Sequence, residues 1–182
     1  MAEPIDDPFR SFARRVPEGD SIERLVCEGC GFIHYENPKL VVGSVVTWEG
    51  RFLLCRRAIN PRRDYWTLPA GYMELNETTA EGAMREAWEE AQARIAIDAL
   101  LAVYEIPRIS QVQLIYRARL VEPAFAAGPE SLDVRLFEWD EIPWDRLAFP
   151  SVRWALHHHR EAAAEAVPVP RRNPEGDAGD HR

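Results

Sequence analysis

Cysteine is scarce in this chain. Cys27, Cys30 and Cys55 are all there is, too few and too oddly spaced for a disulfide framework, and such usage fits a reducing compartment. Long apolar runs are missing as well, so no membrane-spanning helix is expected. The first fifteen residues mix acids, prolines and arginines where an export signal needs an apolar stretch. A cytoplasmic protein without membrane partners is the expectation. Basic residues are outnumbered, 22 Lys and Arg against 30 Asp and Glu, for a net charge of -8. That balance excludes proteins that grip nucleic acid through a basic surface, because their affinity comes from cations neutralising phosphates. A small anion bridged by cations stays compatible.

What is present points to one well-buried domain with appendages. The chain has 182 residues, 46% of them hydrophobic, with six tryptophans, which is apolar material for one core. Residues 1–37 read as an extension interrupted by Pro4, Pro8, Pro17 and Gly19. Residues 38–166 read as the main domain. Residues 167–182, rich in Pro, Gly, Asp and Arg, are expected to be a disordered tail.

Within the main domain, Lys39 to Trp48 and Arg51 to Arg57 are β-rich runs around a Glu49-Gly50 turn, which predicts a hairpin. Further strands are expected over Leu100 to Ile106, Gln111 to Leu120 and Val134 to Trp139, with helices over Thr79 to Ala91 and Pro150 to Ala166. This order suggests an α/β (α+β) fold, a mixed sheet with helices packed on its faces.

The segment richest in chemistry is Arg85-Glu86-Ala87-Trp88-Glu89-Glu90. Positions i, i+3 and i+4 share a helix face, so Glu86, Glu89 and Glu90 converge. Ala80, Ala83, Met84, Ala87, Trp88 and Ala91 form an apolar stripe expected to dock on the sheet, leaving the acids facing outward. Like charges so placed destabilise an isolated helix by roughly 0.2–0.5 kcal/mol per pair. A hard divalent cation offsets this, since magnesium takes oxygen ligands from a few carboxylates and from substrate phosphates. A plain solvated acidic face fits the same pattern.

The surrounding spacing separates the two readings. Gly71 is followed after five residues by Glu77, then after seven by Arg85-Glu86, with Glu89-Glu90 beyond. This resembles the Nudix box, and Trp66-Thr67-Leu68-Pro69-Ala70-Gly71 looks like its usual entry. One position departs: Gln92 stands where the family has a glycine that serves the helix exit, while Ala93 is a small apolar match.

The resemblance implies a Nudix-type α/β/α sandwich and a magnesium-dependent hydrolase, with manganese as the alternative ion, that cuts the diphosphate of a nucleoside diphosphate derivative. It carries the principal metal-ligand role to Glu86 and Glu90. Glu89 becomes a further ligand or the base, with Glu130 in a later loop as the competing base. The neighbourhood of Gly71 would lend a carbonyl to the metal. Arg85 is expected to pair with Glu77 or Glu89 and hold them in position. Arg57, among Arg56, Arg62 and Arg63, could meet phosphates through its planar fork. Trp66 or Tyr104 could stack on a base, although an aromatic in a strand-rich region is more often core.

Cys27-Glu28-Gly29-Cys30-Gly31 has zinc-knuckle spacing, but a closed site needs four ligands and the chain has no second Cys-x-x-Cys. The segment is similar to the N-terminal ribbon of a Nudix subgroup that acts on ADP-ribose and flavin adenine dinucleotide. A relic packing without zinc is expected, against a site completed by His34 or by a second chain. His157, His158 and His159 are consecutive and point in different directions, so they form no chelate. Alternatives to the dinucleotide reading are a house-cleaning nucleoside triphosphate pyrophosphohydrolase, a non-catalytic nucleotide-sensing domain and a purely structural role. The resemblance also makes a homodimer plausible.

Overall fold

The computed structural model describes residues 11–162 and 169–179, and the chain divides into two compact units, Met1–Asn37 and Pro38–Arg182. In the first unit, β1 (Phe12–Arg15), β2 (Arg24–Cys27) and β3 (Ile33–His34) form an antiparallel sheet. Asp20 organises the β1–β2 loop, accepting from the Ser21 and Ile22 amides and pairing with Arg24 at 3.0 Å. Gly31, at φ +75, closes the next turn by donating to the Cys27 carbonyl at 2.9 Å.

In the second unit the strands are β4 (Lys39–Trp48), β5 (Arg51–Arg57), β6 (Trp66–Thr67), β7 (Ala70–Tyr72), β8 (Ile95–Ile106), β9 (Gln111–Leu120) and β10 (Ser131–Phe137). The helices are α1 (Thr79–Ala91) and α2 (Pro150–Ala162). The sheet runs β10-β5-β4-β9-β8, with β6 on β5 and β7 on β4. β4 is its axis. It lies parallel to β9 from Lys39↔Gln111 to Thr47↔Arg119, and antiparallel to β7 through Val42↔Gly71. It turns into β5 at Glu49-Gly50, both at positive φ as a tight primed hairpin turn requires. Parallel and antiparallel pairs in one sheet make it the mixed sheet expected.

Side-chain alternation along β4 feeds two cores. Val45 joins Leu54, Leu101 and Ile115 under α2, against Val152, Trp154 and Leu156. Val46 joins Leu53 and Leu120 under α1, against Ala87 and Ala91, and Val42 packs on Ala83 beside them. A helix therefore covers each face, the α/β/α arrangement. No helix among the described residues is long and apolar enough to cross a membrane.

Several boundaries differ from expectation. β8 begins at Ile95, five residues early, because Ile95 and Ile97 already pair with Leu120 and Ala118 of β9. α2 is described to Ala162, and residues 163–166 lie outside the described residues. The expected disordered tail is corrected over 169–179. There Arg171 exchanges backbone hydrogen bonds with Leu101 and Val103 of β8, and the Asn173 carboxamide pairs with the Glu105 backbone. An exposed strand edge offers unpaired amides and carbonyls, and this segment satisfies them.

Candidate active site

Thr78 caps α1, accepting from the Glu81 amide, while the Glu81 carboxylate accepts from the Thr78 amide. These reciprocal bonds fix the first turn. The helix then lies very close to the sheet. A Cβ on Gly82 would stand 2.8 Å from a Val42 methyl, and Ala83, Ala87 and Ala91 are fully buried. Only small residues permit this seat, and the seat sets the rotation. The expected stripe is corrected accordingly: Met84 and Trp88 are 37% and 51% exposed. Glu86 and Glu90, expected to face outward, turn inward and are 8% and 6% exposed. Glu89 stays at the rim, its side chain 54% exposed.

The inward acids meet β7. Glu90 Oε2 accepts from the Ala70 amide at 3.1 Å. The Glu86 carboxylate fills the space a side chain on Gly71 would take, within 2.4–2.5 Å of an added Cβ. Gly71 thus belongs to the site because it has no side chain.

Arg85 ties the cluster together. Its guanidinium forms a fork on Glu77, with Nε to Oε2 at 3.0 Å and Nη2 to Oε1 at 2.9 Å. Nη1 bridges Glu86 and Glu89 at 2.7 and 2.8 Å, and Nη2 reaches the Tyr72 carbonyl at 3.0 Å. The Arg85 bonds, with the Glu74 amide, hold the Glu77 carboxyl down at about 2. Both expected partners of Arg85 are present, joined by Glu86.

Glu130 comes from the loop before β10. That loop closes the end of α1: Ala126 donates to the Ala91 carbonyl at 2.8 Å and Gly128 to the Glu90 carbonyl at 3.0 Å. Gly128 lies against the Glu89 carbonyl with no room for a side chain. The charge of Glu130 is felt by both Glu86 and Glu90. Arg57 lies close enough to act on Glu90 as the opposing positive charge. Its Nε bonds the Pro61 carbonyl at 2.9 Å and its guanidinium covers the Phe149 ring.

Burial pushes the Glu90 carboxyl up to about 8, with the Glu86 and Glu130 charges adding and the Ala70 amide opposing. Burial also raises Glu86, against the pull of Arg85. Glu86, Glu89 and Glu90 outnumber the Arg85 guanidinium that bridges two of them, and such a donor set suits a hard divalent cation, which adds positive charge. Among the described residues no three acids, histidines or cysteines are already gathered in ligand geometry, since Arg85 stands between Glu86 and Glu89. The knuckle cysteines are two of the four donors a closed zinc site requires, and the described residues add no third. Amides of Cys30 and Gly29 directed at the Cys27 sulfur hold its thiol below the usual range.

Trp66 and Tyr104 are corrected as stacking residues. Trp66 is buried against Phe137, and Tyr104 is fully buried with its hydroxyl on His158 Nδ1 at 2.8 Å. Both fill the core under α2. Arg56 pairs with Asp64, and Arg62 lies over Tyr65. The three histidines diverge as expected: His157 lies against Trp139 and Trp144, His158 on Tyr104, and His159 on Phe52. Sequence reading missed Ala70, whose contribution is a backbone amide, and Gly128, whose contribution is the absence of a side chain.

Comparison with known proteins agrees with this geometry. Residues 37–158 match the NUDIX domain model, and residues 10–36 match the Nudix N-terminal zinc-ribbon model. The second match weighs against the expectation that zinc is absent. A MutT-like protein of Streptomyces ambofaciens is 37% identical over 102 residues, 56% of this chain and 64% of the relative, so the chain spans less than two thirds of that protein. The ADP-ribose pyrophosphatase of Methanocaldococcus jannaschii is 27% identical over 119 residues, 63% of this chain and 69% of the relative. The crystal structure of a NUDIX hydrolase from Nitrosomonas europaea superposes with a TM-score of 0.82 at 46% identity, over 89% of this chain and 93% of that one. With its acid helix seated on a mixed sheet as the box implies, and its matched region spanning most of its length, this chain belongs to the Nudix family.

Proposed function

We propose that this protein is a magnesium-dependent hydrolase, able to use manganese, that cleaves the diphosphate of a nucleoside diphosphate derivative such as ADP-ribose or flavin adenine dinucleotide into two monophosphates. The observation that carries this reading is the burial of Glu86 and Glu90 against β7, in a space that Gly71 leaves open. A structural helix would turn such groups to solvent, since burying carboxylates that outnumber the guanidinium paired with them is costly. The similarity to an ADP-ribose pyrophosphatase supports the substrate class.

In this reading Glu86 and Glu90 hold the cation, with Glu89 as a further ligand at the rim and the backbone near Gly71 alongside. Bound there, a divalent cation neutralises diphosphate charge and eases attack by water. The remaining work falls to the chain. Arg85 fixes Glu86, Glu89 and Glu77 relative to one another. Arg57, beside Glu90, offers a planar fork to a phosphate oxygen. The proton of the attacking water goes to a Glu130 carboxylate oxygen in preference to Glu89, because Glu89 Oε2 is already engaged by Arg85. The backbone bond from Gly128 to α1, which brings the Glu130 loop to the acid cluster, supports this role.

The test incubates the protein and a Glu130→Gln variant with magnesium and a panel of ADP-ribose, flavin adenine dinucleotide, nicotinamide dinucleotides, sugar nucleotides and nucleoside triphosphates, separating products by chromatography. Two monophosphates from a dinucleotide, formed at least about 100-fold more slowly by the variant, are the expected result. Pyrophosphate released from triphosphates alone would replace this reading with a triphosphate pyrophosphohydrolase. Nucleotide binding without turnover would replace it with a sensing domain.

A further inference from the structure

Tyr72 is a 53% exposed aromatic on the strand that carries Gly71. Alternation along β7 sends successive residues to opposite faces. Gly71 faces the Glu86 carboxylate, and Tyr72 points to the other side. Its carbonyl is nonetheless held by Arg85, so its backbone belongs to the acid cluster.

Register gathers polar groups around the ring. Val41 of β4 lies opposite Tyr72 and beside Gln113 of β9, and Lys39 lies beside Gln111. Gln113 Nε2 donates to Gln111 Oε1 at 3.3 Å, and Gln111 Nε2 donates to the Tyr72 hydroxyl at 3.4 Å. The Lys39 ammonium stands 5.3 Å from the ring centroid, on one of its two faces. β9 lies between β4 and β8, and its residue two beyond Gln113 on the same face, Ile115, is core. Half-buried carboxamides on an interior strand cost desolvation that apolar side chains would avoid, so fold stability alone does not account for them. A π face beside paired donors and acceptors is what a nucleobase requires, a stacking surface and a hydrogen-bonded edge.

We infer that Tyr72, Gln111 and Gln113 form a nucleobase subsite, with the base stacked on the open face of the ring and its edge bonded by the carboxamides. Placing the diphosphate of the same ligand at Glu86 and Glu90 rests on the hydrolase reading above; the subsite itself does not require turnover.

The test is calorimetric titration of the full chain with AMP and with ribose 5-phosphate, for wild type, Tyr72→Ala, Tyr72→Phe and Glu90→Gln. AMP affinity is expected to fall about tenfold in Tyr72→Ala and to persist in Tyr72→Phe, with ribose 5-phosphate unaffected by either. The KM for ADP-ribose should rise by a similar factor in Tyr72→Ala. Wild type that binds no AMP, Tyr72→Ala that binds it undiminished, or an equal loss of both ligands overturns the subsite. Tyr72-dependent AMP binding by a protein that cuts no diphosphate would instead leave the subsite standing and sink the hydrolase reading, and Glu90→Gln shows whether base binding is separable from the acid cluster.

Discussion

Helices α1 and α2 flank the same sheet, each with thirteen described residues, yet they bury different chemistry. α2 seats Val152, Trp154 and Leu156 among large apolar side chains, and burial holds its half-buried His158 and His159 below the usual imidazole range. α1 seats alanines and a glycine on the sheet and turns two carboxylates inward onto β7. The first arrangement contributes stability through area removed from water. The second gives some of that up, because desolvated acids oppose folding until something positive joins them. One layer of the sandwich thus holds the fold, and the other holds a site that the fold keeps under electrostatic tension.

The largest effect that would break this contrast is expected at Glu90. Glu90→Gln retains an acceptor for the Ala70 amide and removes the buried charge, so turnover should fall by about 100-fold or more while the metal-free melting temperature holds or rises. A variant that lost stability along with activity would mean that α1 is structural in the same sense as α2. The mirror experiment is Leu156→Ala, which opens a cavity in the fully buried layer under α2. Unfolding free energy from urea titration should drop by about 2–5 kcal/mol, with kcat and KM of the folded protein kept.

A smaller effect sharpens the account of α2. Burial, helped by the Arg117 charge and opposed by Asp98, holds the His159 imidazole down at about 4. The folded value lies below the unfolded one, so the unfolded chain takes up the proton first. Stability from this residue is complete above about pH 6.5 and is lost as pH falls toward 4. His159→Gln should therefore lose less stability than wild type between pH 7 and 5, read as the shift in urea midpoint. Equal losses would place the acid sensitivity elsewhere. The smallest effect is at the exit of α1, where Gln92 adopts the left-handed conformation at φ 48 and ψ 30. Gln92→Gly should raise stability by up to about 1 kcal/mol without altering turnover; no gain would show that the Gln92 side chain offsets its backbone strain.

Gln92 also shows what kind of information a sequence carries. It stands where the family pattern has a glycine at the helix exit, yet the turn is made, with the Gln92 amide donating to the Ala87 and Trp88 carbonyls. Local signals of the same kind placed α1 and β9 at their observed bounds. Most of the face that α1 turns to the sheet was legible, since Ala83, Ala87 and Ala91 of the expected stripe are fully buried and Ala80 packs beside them, but the place of Met84 and Trp88 was not. Met84 and Trp88 are the more hydrophobic choice, but close approach selects small residues over apolar ones, and closeness is a property of the partner surface. Trp66 and Tyr104 failed as stacking candidates for a related reason: aromatic character is local, whereas burial depends on the strands and helix that arrive from elsewhere. The tail escaped recognition because its order comes from the open edge of β8, not from its own composition.

By itself, the order of residues determined the two helices and the long strands of the second unit, the spacing that brings Glu86, Glu89 and Glu90 to one turn of helix, and the family to which the chain belongs. These follow from helix and strand periodicity, which act over a few residues. Tertiary structure alone decided that Glu86 and Glu90 are buried while Glu89 is not, that Arg85 joins four groups, the Tyr72 carbonyl among them, and that the charge of Glu130 reaches the acids. The physical reason is that burial and charge interaction depend on distance in space, and the sheet brings together β4, β7, β9 and the loop before β10 from widely separated parts of the chain.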